Sequence, residues 1–268
     1  MILLLGGTSD SIEIARLLVN EGLPTIFSMV TQAFMNLPQT PLLIVRRGAM
    51  DQTTMIESLV NNKIDALVDA THPYATEVTR NAVDASRKTG VQYFRLTRKP
   101  VVDGLANVIF AKDHQEAARK AVNIGGLILL TIGVRNLEIY SSICSKAGLP
   151  FVVRALPNES SLKILKDLGI PSENTITGLG PFSYEHNVRT IRQFGVKTLI
   201  TKDSGTRGGT VEKIRAAQDE GCNIIVVKRP PSDATRSFDE PQRLVNAVKN
   251  YLITISSKRE GVASRTML

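Results

Sequence analysis

Short apolar segments alternate along the chain with longer amphipathic ones. The short segments are rich in Leu, Ile and Val, and the longer ones place apolar residues at helical spacing, as Val78, Ala82 and Val83 do. Strands that alternate with helices are typical of βαβ units and a parallel sheet. The pattern therefore predicts an α/β fold.

The same pattern sets the expected bounds of the elements. Strands are predicted at Ile2–Leu5, Thr25–Met29, Leu42–Val45, Ala66–Asp69, Gln92–Arg95, Val108–Phe110, Leu127–Thr131, Phe151–Arg154, Thr175–Thr177, Thr198–Lys202 and Asn223–Val227. Helices are predicted at Ser11–Asn20, Thr53–Val60, Tyr74–Lys88, His114–Asn123, Asn136–Lys146, Ser160–Leu168, Tyr184–Phe194, Gly209–Asp219 and Pro241–Leu252.

The alternation stops around Thr97–Asn107, where charged residues, Pro100 and a glycine intervene, and then starts again. We therefore predict two Rossmann-like domains, each a parallel sheet flanked by helices, over residues 1–98 and 99–255, and a basic tail over 256–268. The active site is expected in the cleft between them, because open parallel sheets bind ligands outside the carboxyl ends of their strands.

The composition, 43% apolar and 22% charged, is that of a soluble globular protein. No apolar run reaches the roughly 18 residues of a membrane helix, so no membrane partner is expected. Met1–Leu5 lacks a basic leader and is expected to form a buried strand, not a signal peptide. Cys144 and Cys222 lack the spacing of a disulfide framework or metal site, which predicts a cytoplasmic protein without a bound metal.

The formal charge of +8 favours an anionic partner. Nucleic acid is not expected, because the chain has no Trp, only 5% aromatic residues and no recognisable nucleic-acid-binding module. The densest basic stretch lies in the tail, at Lys258, Arg259 and Arg265, and is expected to be solvated. A polyanionic small molecule accounts for the charge equally well.

The first motif at a strand end is Gly6-Gly7-Thr8-Ser9-Asp10-Ser11, which opens a helix. Glycines allow close backbone approach, and a helix N-terminus offers N–H groups to a phosphate. The motif is incomplete as G-x-G-x-x-G, because Thr8 and Ser11 replace its second and third glycines. The alternative is an ordinary tight turn capped by Thr8 or Ser9.

The second motif is Asp69-Ala70-Thr71-His72-Pro73-Tyr74, after the fourth predicted strand. Pro73 suits the first position of a helix, with Thr71 or His72 as its cap. Capping alone leaves the grouping of Asp, His and Tyr unexplained, whereas a nicotinamide and a polar substrate need such polar groups. Both interpretations stay open.

The third motif is Thr201-Lys202-Asp203-Ser204-Gly205-Thr206-Arg207-Gly208-Gly209-Thr210. Its glycines, cations and hydroxyls favour an anion-binding turn, and the alternative is a flexible surface loop. The P-loop pattern is absent, which disfavours a nucleoside triphosphatase.

Two lesser features concern the cofactor. Arg46-Arg47-Gly48 follows the third predicted strand and either meets a ribose phosphate or carboxylates or is a solvated pair. Ser28-Met29-Val30-Thr31 carries no acidic residue for a ribose 2′-hydroxyl, which favours NADPH over NADH.

These motifs, in this order, resemble the precorrin-6A reductase family, including its cobalt-precorrin-6A branch. Asp-Ala-Thr-His-Pro together with Thr-Lys-Asp-Ser-Gly is a specific combination. The matching segments span nearly the whole chain and are Ile2–Asp10, Val68–Ala75, Tyr93–Leu96, Gly178–Phe182, Thr201–Gly205 and Val226–Pro230. The chain departs from the family pattern at Asp10, where Glu is common, and at Thr97–Pro100, where an Arg-Pro pair usually follows the strand.

The resemblance implies hydride transfer from NADPH or NADH to a ring carbon of precorrin-6A or cobalt-precorrin-6A, giving the corresponding precorrin-6B. Residues 1–98 would bind the dinucleotide, and residues 99–255 would bind this tetrapyrrole, which carries several carboxylates. The candidate cofactor-binding residues are Gly6, Gly7, Thr8, Ser9, Asp10, Arg46, Arg47, Thr71, His72 and Pro73. The candidate substrate-binding residues are Lys202, Asp203, Ser204, Gly205 and Arg229. The candidate catalytic residues are His72, Tyr74 and Lys202.

Several points stay open at this stage. Either a side chain or water supplies the proton, and the chain is expected to be a monomer or a small homo-oligomer. A short-chain dehydrogenase is disfavoured, because no tyrosine of the chain has a lysine four residues later. A dinucleotide sensor or ligand carrier without turnover remains the alternative, since Rossmann-like domains serve many functions.

Overall fold

The computed structural model describes residues 1–30, 36–102, 105, 107–230 and 236–266, with side chains up to residue 259. Its strands are β1 (Ile2–Leu5), β2 (Thr25–Met29), β3 (Leu43–Arg47), β4 (Ala66–Asp69), β5 (Gln92–Leu96), β6 (Val108–Ala111), β7 (Ile128–Leu130), β8 (Phe151–Ala155), β9 (Thr175–Thr177), β10 (Thr198–Lys202), β11 (Asn223–Val227) and β12 (Ser237–Phe238). Its α-helices are α1 (Ser9–Asn20), α2 (Gln52–Asn61), α3 (Thr76–Thr89), α4 (His114–Ile124), α5 (Leu137–Lys146), α6 (Glu159–Asp167), α7 (Tyr184–Phe194), α8 (Thr210–Asp219) and α9 (Pro241–Thr266). Every predicted strand and helix is present, and the α/β prediction is confirmed.

The chain forms two compact units. Residues 1–99 and 230–268 form the first, and residues 100–229 form the second. Each unit contains one six-stranded sheet, and the strand pairs in both sheets are parallel. The prediction of two Rossmann-like parallel sheets flanked by helices is therefore confirmed.

The first sheet has the strand order β12-β5-β4-β1-β2-β3. The chain runs outward from β1 through β2 to β3 on one side and from β4 to β5 on the other. The strand order therefore reverses between β1 and β4, whose last residues Leu5 and Asp69 are direct neighbours. Ligands of open parallel sheets bind beside such a reversal, at the carboxyl ends of the strands.

The second sheet has the order β6-β11-β10-β7-β8-β9. Its reversal lies between β7 and β10, so the end of β10 at Lys202 occupies the position that the end of β4 at Asp69 occupies in the first unit. The third motif therefore also starts at a reversal point.

Helices cover both faces of the first sheet. Leu3 and Leu4 of β1 point to opposite faces, and both are fully buried. Leu4 joins a cluster with Ile14 of α1, and Leu3 joins a cluster with Met55 of α2. Burial on both faces explains why the strands are continuous apolar runs, and each such side chain contributes about 1.5–3 kcal/mol.

The predicted domain bounds need one correction. After the second unit the chain returns to the first, where β12 pairs with β5 and Leu244 of α9 is buried in the core with Leu4 and Phe94. The prediction of a second domain over 99–255 is therefore wrong from residue 230 onward. A two-residue strand is too short to give a recognisable apolar signal, and this is why the return was not predicted.

The predicted tail over 256–268 is not separate either. Helix α9 continues through it to Thr266, and Arg259 Nη1 lies 2.9 Å from the Asp65 Oδ1 atom of the first unit. The Arg265 side chain lies outside the described residues.

The end of β4 is held by a buried carboxylate. Asp69 Oδ1 accepts hydrogen bonds from the Thr71 N–H at 3.0 Å and the Thr71 hydroxyl at 2.7 Å. Asp69 Oδ2 accepts hydrogen bonds from Thr79 at 3.0 Å and from the Tyr93 hydroxyl at 2.9 Å, and it forms an ion pair with buried Arg95. Burial raises the pKa of Tyr93, so the phenol stays protonated and donates. One carboxylate thus ties β4 to β5, to α3 and to the turn that follows.

Replacing Asp69 by Asn is expected to lower the free energy of unfolding by about 3–5 kcal/mol, because Arg95 would stay buried without its counter-charge. Urea unfolding followed by circular dichroism measures the loss. Asp84→Asn is the matched control, because Asp84 forms an exposed ion pair with Arg87, and such pairs contribute about 0–1 kcal/mol. Equal stability of the two variants would contradict the role assigned to Asp69.

Candidate functional site

Glycine is required at the two positions after β1 for different structural reasons. A Cβ on Gly6 would lie 2.3 Å from the Phe27 ring, so Gly6 allows β1 to pack closely on β2. Gly7 has a φ of +115°, and no atom lies within 4 Å of a Cβ built there. Gly7 therefore makes the turn and leaves open space beside the start of α1.

Thr8 and Ser11 cap α1. The Ser11 N–H donates to Thr8 Oγ1 at 3.2 Å, and Ser11 Oγ accepts the N–H groups of Gly7 and Thr8, each at 3.1 Å. The predicted cap by Thr8 is confirmed. Because the amides of Gly7 and Thr8 are bound to Ser11, the N–H of Ser9, which has no acceptor within its own helix, is the amide best suited to an anion.

The first two motifs lie side by side. Thr8 Oγ1 donates to the Ala70 carbonyl at 2.9 Å, and the Ala70 N–H donates to the Leu5 carbonyl at 2.9 Å. The turn after β1 and the turn after β4 are therefore joined at the reversal point of the first sheet.

Helix α3 begins later than predicted. It starts at Thr76 with Ala75 as its N-cap residue, and no side chain caps it. The prediction that Pro73 takes the first helical position with Thr71 or His72 as cap is therefore wrong. The Thr71 hydroxyl instead donates to Asp69 and accepts from Arg95 Nη1 at 3.3 Å.

His72 and Tyr74 are both partly exposed in the turn between β4 and α3. Their ring centroids are 5.7 Å apart, and His72 Nδ1 accepts the Tyr74 N–H at 3.3 Å. Because Nδ1 accepts, the neutral imidazole carries its proton on Nε2. The pair stands two and four residues after Ala70, whose carbonyl is hydrogen-bonded to Thr8 of the glycine turn.

Arg46 and Arg47 lie within β3, not after it as predicted. Arg46 and Arg47 pair with Ser28 and Met29 of β2, and Arg46 Nη1 donates to the Gly48 carbonyl at 2.8 Å. Arg47 is exposed. Among the described residues at the end of β2, Ser28, Met29 and Val30, no side chain is acidic, and Thr31 lies outside the described residues.

Asp10 has a partner that the sequence did not indicate. Its buried carboxylate accepts a hydrogen bond from Arg98 Nε. The two residues are far apart in sequence, and Arg98 stands in the segment where the apolar pattern stops, so no periodic signal connects them. Asp10 thus holds an arginine at the first turn of α1.

In the second unit, Asp203 organises the turn after β10. Its Oδ1 atom accepts hydrogen bonds from the Gly205 N–H and from Arg229 Nη2, each at 3.0 Å, and Oδ2 accepts the Val101 N–H at 3.2 Å. Arg229 Nε also donates to the Asp203 carbonyl at 2.8 Å. Asp203 and Arg229 are therefore engaged with each other.

The rest of this turn is buried and hydrogen-bonded. The Ser204 N–H donates to Thr210 Oγ1 at 3.1 Å, and Gly205 takes a φ of +74°. A cavity of about 330 Å³ opens beside the turn. It is lined by Pro100, Val102, Phe110, Asp203, Val226, Lys228 and Arg229.

Lys202 is a partly buried cation at the end of β10. Burial, and then the neighbouring charge of Arg135, lower the pKa of its ammonium group to about 8. Burial, and then Lys202, also lower the pKa of His114 to about 4, so this imidazole is neutral at pH 7. His114 Nδ1 lies 2.9 Å from the buried Tyr140 hydroxyl.

Sequence reasoning missed three cations near Lys202. Arg135 follows β7, Arg154 lies on β8 and Lys213 lies on α8. In addition to burial, Arg135 lowers the pKa of Lys202, and Arg154 and Lys202 lower that of Lys213. Each stands alone in the sequence, outside the three motifs, so only the fold brings them together.

The described residues contain neither a membrane-spanning helix nor a cluster of metal ligands. No described helix combines the length and the apolar character that a membrane crossing requires. No group of three His, Cys, Asp or Glu side chains among the described residues is arranged to hold a metal ion.

A family model and individual relatives of this chain indicate the same protein family. The family model described as "Precorrin-6x reductase CbiJ/CobK" matches residues 1–249. A cobalt-precorrin-6A reductase from Methanocaldococcus jannaschii is 33% identical over 94% of this chain and 99% of its own length. A cobalt-precorrin-6A reductase from Priestia megaterium is 30% identical over 93% of this chain and 98% of its own length.

A solved structure shows the same fold. The structure titled "CobK precorrin-6A reductase" superposes with a TM-score of 0.74 over 93% of this chain and 96% of its own, at 21% sequence identity. Because the family model and both relatives span nearly the entire described chain, the match does not rest on a shared Rossmann-like fold alone. The chain belongs to the precorrin-6x reductase family.

Proposed function

We propose that this chain reduces precorrin-6A or cobalt-precorrin-6A with NAD(P)H to the corresponding precorrin-6B, as a step of corrin ring biosynthesis. Family membership and the names of both relatives support the substrate. The observation that carries the proposal is the hydrogen-bonded pairing of the glycine turn with the Asp69–Tyr74 segment at the reversal point of the first sheet. That is where a Rossmann-like sheet binds a dinucleotide.

The residues at this point fit a dinucleotide. The open space beside Gly7 would admit a pyrophosphate, and the N–H of Ser9 at the first position of α1 would donate to it. The end of β2 lacks an acidic side chain in its described residues, and Arg47 is exposed on the neighbouring strand. Both features favour a dinucleotide with a 2′-phosphate, so we infer that NADPH is preferred over NADH.

Each part of the proposed site has its own task. The reduced nicotinamide, when bound, supplies the hydride that the reaction requires. The glycine turn and Ser9 hold phosphate groups, while Thr71, held by Asp69, fixes the backbone that leads to His72 and Tyr74. These two partly exposed rings orient the ligand at the end of β4, and Lys202 in the second unit presents a cation to a substrate carboxylate.

The Asp203–Arg229 pair changes one assignment within this proposal. Arg229 already donates to Asp203 through two of its nitrogens, so it serves to hold the turn after β10. We therefore infer that Asp203, Ser204 and Gly205 shape the turn, and that Lys202 is the main ligand that this motif offers.

Steady-state turnover tests the proposal directly. Pure protein is incubated with NADPH or NADH and with precorrin-6A, with and without cobalt, and the absorbance of the reduced nicotinamide is followed. We expect substrate-dependent oxidation, faster with NADPH. Binding of NADPH without oxidation in any combination would instead indicate a dinucleotide sensor or carrier.

Gly7→Val is expected to weaken NADPH binding at least tenfold, because a β-branched residue is strained at a φ of +115° and fills the open space beside α1. Isothermal titration calorimetry measures the Kd. Gly22→Val is the matched control, because Gly22 has a φ of +70° and equally open surroundings but lies at the other end of α1. Equal loss of affinity in both variants would trace the effect to backbone strain and not to the site.

Lys202→Ala is expected to raise the KM for the tetrapyrrole at least tenfold and to leave the Kd for NADPH unchanged, because a charge-assisted contact to a carboxylate is lost. Lys146→Ala, which removes an exposed lysine at the far end of α5, is the control and should change neither. A loss of NADPH binding alone would contradict the division of ligands between the two units.

The same lysine predicts a pH dependence. Its pKa is lowered from the ordinary 10.5 to about 8, so the cation is present below pH 8 and is lost as the pH rises through that value. We expect the wild-type KM for the tetrapyrrole to rise above pH 8, and we expect Lys202→Arg, which stays charged, to shift this rise to higher pH.

A further inference from the structure

Arg98 and Asp10 form an ion pair at the carboxyl edge of the first sheet. Arg98 follows β5 by two residues, and its Nε atom donates to Asp10 Oδ2 in the first turn of α1. The Asp10 side chain is 5% exposed and that of Arg98 is 13% exposed, so both charges are largely buried. Because β4 lies between β5 and β1, the pair joins two segments on either side of the strand at the reversal point.

The position of Asp10 conflicts with the proposed binding of a phosphate. Asp10 directly follows Ser9, whose N–H is the proposed phosphate donor, and consecutive Cα atoms are about 3.8 Å apart. The positive end of a helix dipole stabilises an acidic side chain in the first turn just as it stabilises a phosphate. An ionised Asp10 therefore uses part of this positive potential and repels a second anion.

Arg98 removes this conflict. A guanidinium in contact with the Asp10 carboxylate cancels its charge at short range, so a ligand meets the amides and the dipole of α1 alone. The effect is strong because salt and water screen largely buried charges less than surface charges. The amides of Gly7 and Thr8 are already bound to Ser11, so they do not outweigh a carboxylate that lacks its partner.

Neither capping nor core packing explains the charge of Asp10. The start of α1 is already capped by Thr8 and Ser11, which bind each other's backbone N–H groups. The other buried pair of this sheet, Asp69 with Arg95, differs because Asp69 also accepts hydrogen bonds from three further residues and so connects β4, β5 and α3. Asp10 stands instead in the helix turn at which the dinucleotide is proposed to bind.

We propose that Arg98 is a positioning residue of the dinucleotide site, which neutralises Asp10 and thereby allows the turn after β1 to accept a pyrophosphate. The inference rests on the proposed function for the identity of the ligand. It also reverses the role predicted for Asp10, because this carboxylate opposes the ligand and does not bind it. Arg98, which lies outside the three motifs, suppresses this opposition.

The two members of the pair have different expected effects on dinucleotide affinity. In Arg98→Met, Asp10 keeps its charge without a partner, and we expect the Kd for NADPH to rise about tenfold or more. In Asp10→Asn, the carboxylate charge is lost while Arg98 remains, and we expect the Kd to be unchanged or lower. Isothermal titration calorimetry with the full-length protein measures both. A pair that only cross-links the structure would raise the Kd in both variants, and this result would overturn the proposal.

A double variant separates neutralisation from direct contact. In Arg98→Met/Asp10→Asn neither charge remains, so we expect the Kd for NADPH to return to within about threefold of the wild type. A Kd as high as that of Arg98→Met would make Arg98 itself a phosphate ligand and would overturn the proposal. Arg98→Lys keeps a cation beside Asp10 and is expected to retain most of the affinity, whereas a loss equal to that of Arg98→Met would contradict neutralisation.

The exposed pair of Asp84 and Arg87 on α3 supplies the matched controls. Arg87→Met and Asp84→Asn change the net charge of the same unit by the same amounts, and neither should alter the Kd for NADPH. Should Arg98→Met not fold, Asp10→Asn and the double variant decide the question. A Kd about tenfold above the wild type in either of them would overturn the proposal.

Binding and turnover fail separately in this experiment. If the wild type binds NADPH but oxidises none of it with the tetrapyrrole, the reductase is rejected, and the Kd values of the variants still decide the role of Arg98. If Arg98→Met binds NADPH as tightly as the wild type, the role of Arg98 is rejected, and the oxidation of NADPH by the wild type is unaffected. No binding of NADPH to the wild type would also overturn the role of Arg98.

Discussion

The carboxylate of Asp69 accepts hydrogen bonds from a strand, a helix and a turn, and it neutralises an arginine buried beside it. Because β4 is fixed at its last residue, Ala70 can meet both Leu5 and Thr8, and the turns after β1 and β4 become one surface. The glycine turn, His72 and Tyr74 all take their positions from this contact. The position of the proposed cofactor site thus depends on the buried carboxylate of Asp69, whose charge is balanced by Arg95 and whose oxygen atoms are hydrogen-bonded.

The second unit uses charge differently at the equivalent place. Asp203 and Arg229 neutralise each other and shape a turn, whereas Arg154 and Lys213 are buried or partly buried with little opposing charge. A buried pair such as Asp203 and Arg229 becomes strongly destabilising when one partner is removed, because the other charge is then left buried without compensation. The net charge of +8 therefore matters less than its distribution, since the hydrogen-bond partners of Arg154 in the described part of the chain, Asn187 and Thr190, are not carboxylates.

Sequence periodicity predicted most of the fold, because strands buried on both faces, such as Ile2–Leu5, are continuous apolar runs. Periodicity did not predict the features of the fold that depend on contacts between residues distant in the sequence. Strand β12 has two residues and no apolar signal of its own. Thr71 does not cap α3, which starts at Thr76, because its hydroxyl is bound to Asp69. The three motifs located both reversal points, but Arg98, Arg154 and Lys213 lie outside those motifs, and only the folded chain brings them to the sites.

The return of the chain from Pro230 to the first unit has a consequence for biosynthesis. The first unit contains β1 to β5, yet Leu244, Val245 and Val248, which complete one face of its core, are translated after the second unit. All residues of the second unit precede them. The nascent second unit can therefore fold on the ribosome while the first still lacks a helix, and the first unit, although its strands β1 to β5 are synthesised earlier, can complete its core only afterwards.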